Sequence, residues 1–230
     1  MSTTSKASQR IAALLDDNSF VEIGGLVTAR ATDFNLKPNE TPSDGCITGY
    51  GVINGNLVYV YSQDASVLNG TIGEMHAKKI TNLYDLAMKT GAPVIGLIES
   101  AGLRLQEATD ALNGFGEIYM QQTKASGVIP QITGIFGTCG GGMAMIPALT
   151  DFTLMEEKKA KLFVNSPNAI EGNEISKCDT SAAEYQAKEA GLVDFKGSEE
   201  DVLAQIRALV TMLPANNEDD MSYEECTDDL

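Results

Sequence analysis

The stretch PVIGLIESAGLRLQE, residues 93–107, decides the fold. From Val94 to Ile98 it is a short, nearly all-apolar run with no polar alternation, which is the pattern of a strand buried on both faces. Gly102 and the polar residues from Arg104 to Glu107 form a loop, residues 99–107, and a helical stretch follows to about Lys124. The same order of events recurs downstream: Gly127, the apolar run PQITGIFG at residues 130–137, a glycine turn, and a second helix starting near Gly142. Upstream, Ile72, Ile80, Leu83 and Ala87 recur at helical spacing, and Gly91 followed by Pro93 stops that helix. Buried strands alternating with helices imply parallel crossovers and an α/β class.

Outward from this centre, Asn54-Gly55 sits between two β-rich runs as a type I′ hairpin signal. At the amino-terminal end Ile11, Leu14 and Leu15 share a helical face, and Asn18-Ser19 separates them from a strand at Phe20 to Ile23. The polar segment ATDFNLKPNETPSDG, residues 31–45, reads as an exposed loop. DFTLM and KLFV read as short strands, TSAAEYQAKEAG and SEEDVLAQIRALVTML as helices, the last with Ser198 and Asp201 as a capping pair. Residues 1–214 are therefore expected to form one domain. Residues 215–230, ANNEDDMSYEECTDDL, carry acids and no base and are expected to be a solvated, disordered tail, with a docking peptide for a basic partner as the alternative.

A formal net charge of −16 argues against unaided binding to nucleic acid or to an anionic membrane. Cys46, Cys139, Cys178 and Cys226 have no C-x-x-C spacing, so neither a zinc site nor a disulfide framework is signalled, and a reducing cytoplasm fits. No signal peptide opens the chain, and nowhere do 18 apolar residues run together.

The chemistry is concentrated in GTCGGGM, residues 137–143. Glycines at a strand-to-helix turn permit positive φ and close approach of a ligand, and the first N–H groups of the helix have no intrahelical acceptor. No Lys-Ser or Lys-Thr follows, and G-x-G-x-x-G is not matched, so neither nucleotide-binding motif is present. The glycines could serve only close helix-to-sheet packing. However, Gly102 also lies beyond the carboxyl end of a buried strand, so two backbone donors from adjacent crossovers could converge on one oxygen, as a thioester enolate or tetrahedral oxyanion requires. His76 is the only histidine and falls inside a helix with no G-x-S-x-G elbow, where a packed or surface role is the ordinary one. A substitution Gly141→Val is expected to abolish activity while leaving the fold largely intact.

The runs DGCITGYGVINGNLVYVYSQDASVLNGTIGEMHAKKI, GAPVIGLIESAGLRLQE and ASGVIPQITGIFGTCGGGMAMIPALTDFTLM, taken in order, resemble the amino-terminal half of a biotin-dependent acyl-CoA carboxyltransferase of the propionyl-CoA and methylmalonyl-CoA type. The resemblance covers roughly residues 7–175. It implies the crotonase or ClpP-like fold, a spiral of ββα units, and a CoA thioester as substrate. By position, Gly141 and Gly142 match the glycines that open the family's oxyanion helix, and Gly102 with Leu103 matches the other oxyanion loop. Ser100, Arg104, Gln106, Glu107 and Gly140 take supporting roles in orienting the loop and CoA, although a salt-bridged loop closing over the helix would use the same residues.

The resemblance also implies no metal at the transfer site, biotin borne by a biotin carboxyl carrier protein, and homo- and hetero-oligomeric assembly. The family's second half does not follow in this sequence, so a complementary carboxyl-terminal-half subunit is expected to supply it. The four-cysteine zinc ribbon of the bacterial acetyl-CoA carboxylase subunit is not present. Leu103 replaces the family's alanine, and Asn168 onward departs from its Leu-Gly-Gly-Ala stretch. A crotonase-type hydratase or thioester hydrolase, or a non-catalytic scaffold subunit, are the competing readings.

Overall fold

The computed structural model describes residues 5–30 and 41–219. Most of the expected polar loop, at 31–40, and most of the acidic segment, at 220–230, lie outside the described residues, as does Cys226. Among the described residues no helix is long and apolar enough to cross a membrane.

A single mixed sheet organises the molecule. Strands β1 (Val21–Ile23), β2 (Cys46–Ile53) and β3 (Asn56–Gln63) are antiparallel, whereas β3, β4 (Val94–Ser100), β5 (Gln131–Gly140), β6 (Phe152–Glu156) and β8 (Phe195–Gly197) run parallel in that order. Strand β7 (Lys161–Phe163) pairs with the far end of β5. The hairpin closes on Asn54 and Gly55, both at positive φ, as the type I′ turn requires. Gly91 adopts the left-handed conformation that stops α2 (Glu74–Thr90).

Helices cover both faces. On one side α2 and α3 (Ala108–Ala125) pack with Tyr59, Tyr61, Val94, Ile98 and Ile135, while on the other α1 (Lys6–Leu14) and α6 (Glu199–Met212) cover Val58, Val60, Ile95, Leu97 and Phe136. Alternate residues of β4 thus enter opposite cores, which is why its sequence shows no polar face. Each fully buried Leu or Ile there contributes about 1.5–3 kcal/mol relative to exposure. Ser198 and Asp201 form the expected capping box at the start of α6.

One feature differs from the sequence reading: strand β5 continues through Thr138-Cys139-Gly140 because these residues pair with Lys161-Leu162-Phe163 of β7. The helix after the glycines is short, a 3-10 turn at Gly141–Ala144 followed by α4 (Met145–Ala148). The remaining helix, α5 (Ala183–Lys188), packs beside β7 and β8. Beyond α6 the chain is tied back, with the Asn216 amide donating to the Gly91 carbonyl (2.8 Å) and the Asn217 N–H to that of Val128 (2.9 Å).

Candidate active site

Parallel strands direct the loops after β3, β4 and β5 to one end of the sheet, where α/β proteins place their ligands. Here the loops after β4 and β5 touch: a Cβ placed on Gly102 would lie 3.4 Å from the Gly140 carbonyl oxygen. Ser100 and Cys139 are ladder partners just beneath. The sequence-predicted pairs Gly102-Leu103 and Gly141-Gly142 are therefore brought together from adjacent crossovers.

The β4 loop is firmly held. Ala101 N–H donates to Asn69 O (3.0 Å), Ile72 N–H to Gly102 O (2.8 Å) and Arg104 N–H to Ile72 O (3.0 Å). Gly102, at φ +99°, donates its N–H to Ser100 Oγ (3.0 Å), while Leu103 N–H has no acceptor among the described residues. Leu103 is half-buried and Gln106 exposed.

In the second loop, Gly140 lies against the Phe163 ring, which leaves no space for a side chain. Gly141 and Gly142 open the 3-10 turn, so their N–H groups have no acceptor within it. Gly141 is half-buried with φ +61°, and Gly142 is exposed. Tyr119 fixes the turn by donating its hydroxyl to Gly142 O (2.6 Å). The φ of Gly141 corrects one expectation: Gly141→Val would strain the backbone as well as crowd the donor, so that variant does not spare the fold.

Arg104 and Glu107 are fully buried, which confines their side chains to orienting the loop. Arg104 Nη1 bridges Asp44 Oδ1 (2.5 Å) and Glu107 Oε1 (2.9 Å), and Nη2 donates to Thr71 O (2.7 Å). Both carboxylates also cap α2, Glu107 accepting from Glu74 N–H (2.6 Å) and Asp44 from His76 N–H (2.8 Å). Burial raises the Asp44 carboxyl above its usual range despite Arg104. The assembly packs against Gly73, where any Cβ would overlap Glu107 and Arg104.

His76 is buried in the same cluster, its Nδ1 2.9 Å from Asp44 O and its Nε2 3.2 Å from the Gln63 amide. Burial, with Arg104 and then Lys79 adding to it, lowers the imidazole to about 3. Because the folded-state value lies below the ordinary 6.5, this contribution to stability is complete above pH 6.5 and is lost as pH falls toward 3. Urea unfolding should show about 2 kcal/mol less stability from this group at pH 5 than at pH 7. The raised Asp44 acts in the opposite sense at the acid end. His76→Gln should flatten the profile between pH 7 and 5; an unchanged slope would assign it to other groups.

Sequence reasoning missed the groove beside these turns. One cavity of about 610 Å³ is lined by Lys6, Ser43, Asp64, Ser66 and Glu99 among others, and a neighbouring one of about 330 Å³ by Lys6, Arg10, Asn69, Glu99, Ser100 and Lys159. The second cavity sets Lys6, Arg10 and Lys159 against Glu99 and Glu199, and the first sets Lys6 against Glu22, Asp64 and Glu99. Arg10, buried over the Phe136 ring at 4.7 Å, pairs with Glu99 (2.5 Å) and Glu199 (2.9 Å). Glu99, next to Ser100 in β4, is a carboxylate lining both cavities, and Arg10 already engages it. The available signal was positional: DASVLNG follows β3 as SAGLRLQE follows β4.

The described residues contain no group of three His, Cys, Asp or Glu able to hold a metal ion. What the arrangement offers is a set of backbone donors that can hold an oxygen as it gains charge, beside a groove with ammonium and guanidinium groups.

A family model described as carboxyl transferase domain matches residues 4–230. The methylmalonyl-CoA decarboxylase subunit alpha of Veillonella parvula is 44% identical over 227 residues, which cover 97% of this chain and 45% of that protein. The biotin-dependent acetyl-/propionyl-coenzyme A carboxylase beta5 subunit of Mycobacterium tuberculosis is 40% identical over 218 residues, 93% of this chain and 40% of that one. Among solved structures, transcarboxylase 12S with hydrolysed methylmalonyl-coenzyme A matches with a TM-score of 0.89 at 34% identity, over 97% of this chain and 44% of that chain. A Pseudomonas malonate decarboxylase hetero-dimer matches with a TM-score of 0.72 at 26% identity, over 91% of this chain and 87% of that chain. This chain therefore spans less than half the length of the curated relatives named here and nearly all of one subunit of a hetero-dimer.

Proposed function

This chain belongs to the carboxyl transferase domain family, with its crotonase-like fold, and on that premise we propose that it is the acyl-CoA half of a biotin-dependent carboxyltransferase or decarboxylase whose other half is a separate chain. The observation that carries this reading is the close approach of Gly102 to the Gly140 carbonyl, which sets the two glycine loops side by side next to a groove that Lys6 and Lys159 help to line.

In the proposed mechanism the CoA moiety lies along the groove, where Lys6 and Lys159 meet its phosphates, and the thioester carbonyl points at the two loops. The N–H groups of Leu103 and Gly142, aided by those of Gly102 and Gly141, hold the oxygen of the enolate: in carboxylation the α-carbon loses its proton and the enolate then bonds to CO2, and in decarboxylation CO2 leaves and the enolate takes up a proton. The backbone of both loops is fixed before the reaction by Asn69, Ile72 and Tyr119, so the N–H groups of Leu103 and Gly142 need no reorganisation, whereas that of Gly102 starts on Ser100 Oγ. Biotin, borne on a carrier protein, supplies or accepts the carboxyl group when bound.

A complementary half facing this surface is supported by the apolar side chains that flank both loops. Leu105 is 79% exposed just after the first, Met145 45% just after the second, and Leu112 and Met120 continue the apolar surface along α3. The assembly is proposed to be cytoplasmic, where the free thiols of Cys46, Cys139 and Cys178 would stay reduced.

The test is transfer between methylmalonyl-CoA or malonyl-CoA and free biotin, by this chain alone and with the part of the Veillonella parvula relative that it does not cover. Turnover only in the mixture is expected. Full-rate transfer by the isolated chain would overturn the divided site, and failure of the chain to bind any CoA thioester would overturn its assignment as the acyl-CoA half.

A further inference from the structure

We propose that Ser100 is a positioning residue that keeps the Gly102 oxyanion donor occupied until a thioester carbonyl displaces it. The inference rests on the oxyanion reading above and adds to it a device for the substrate-free state.

Ser100 ends β4, is 1% exposed, and lines the 330 Å³ cavity beside the donors. Its Oγ accepts the Gly102 N–H at 3.0 Å. The backbone around that bond is pinned on both sides, with Ala101 N–H on Asn69 O, Gly102 O receiving Ile72 N–H, and Arg104 N–H on Ile72 O. Arg104, buried between Asp44 and Glu107, secures the end of the loop. The Gly102 N–H therefore cannot turn toward a ligand by moving the chain. The Ser100 hydroxyl can move, because one χ1 rotation between staggered wells takes Oγ away from the donor. Leu103 N–H, by contrast, has no acceptor among the described residues and is ready as it stands.

A buried N–H without an acceptor is costly, so the hydroxyl stabilises the empty site while competing with the ligand oxygen. Removing it should move folding stability and ligand affinity in opposite directions. Ser100→Ala should lower the melting temperature and bind propionyl-CoA about twofold to tenfold more tightly. Its affinity for the thioether S-propyl-CoA, which has no carbonyl oxygen, should not change. Ser100→Cys keeps the shape of the side chain with a weaker acceptor and should change both quantities in the same directions by less.

Calorimetric titration of the full chain and the two variants with both ligands is the experiment. If Ser100→Ala loses stability but binds propionyl-CoA equally or more weakly, Ser100 is a structural turn residue and the inference is overturned. Should Ser100→Ala fail to fold, a Ser100→Cys variant that binds propionyl-CoA no more tightly than the natural chain would overturn it in the same way. If the natural chain itself does not prefer propionyl-CoA to S-propyl-CoA, the oxyanion reading fails instead, which separates the two failures.

Discussion

Carboxyl transfer by the assembled enzyme should fall by about 10²–10³-fold in Gly142→Pro, the cost of losing one oxyanion donor, while Gly142→Ala keeps most of the rate. Gly142 is the second residue of the 3-10 turn, lies outside the positive-φ region that excludes side chains, and is exposed. Proline's fixed φ of about −65° suits such a turn, and its missing N–H forfeits no bond within it. Both variants add a Cβ that would lie 3.1 Å from the Tyr119 hydroxyl, so any crowding there is common to the two. Only the proline removes the donor. Equal losses in the two variants would assign the effect to packing on Tyr119 and exclude the Gly142 N–H from the reaction.

The second large effect is on stability. Arg104→Met should destabilise the chain by about 3–5 kcal/mol in urea unfolding, because it leaves buried carboxylates without their counter-charge. Asp44 and Glu107 are both fully buried, and among the described residues each side chain would then retain only an N–H of the first turn of α2. The β4 loop would lose its anchor at the same time, so affinity for a CoA thioester should drop at temperatures where the variant is still folded. A loss below about 1 kcal/mol would show that the α2 N–H groups alone neutralise the pair.

Arg104 also marks the limit of what the sequence reveals. Read in order, Arg104, Gln106 and Glu107 suit a substrate-facing loop as well as a salt-bridged one. The distinction depends on Asp44, which is 60 residues away in the chain and meets Arg104 only in the folded arrangement of β2, β3 and α2. The groove is illegible for the same reason: Lys6 and Arg10 lie one turn apart on α1, but Asn69 and Lys159 reach them from other elements distant in the chain. By contrast, the Asn54-Gly55 hairpin, the Gly91 stop, the doubly buried β4 and the Ser198-Asp201 box are set by neighbouring residues and could be read directly. Strand β5 lies between these cases. Its far end looks like a turn because glycine disfavours strands, yet pairing of Thr138 to Gly140 with β7 extends it.

The site's oxygen-holding role can be observed without a partner chain. The measurement is the ¹³C resonance of the thioester carbonyl in [1-¹³C]propionyl-CoA, free and bound to this chain, with Gly142→Pro and Gly142→Ala alongside. Backbone donors polarise the carbonyl, so the bound resonance should move downfield in the natural chain and in Gly142→Ala, and by less in Gly142→Pro. A bound carbonyl resonating where it does in water, or one indifferent to the proline, would contradict the claim that these two loops form an oxyanion site.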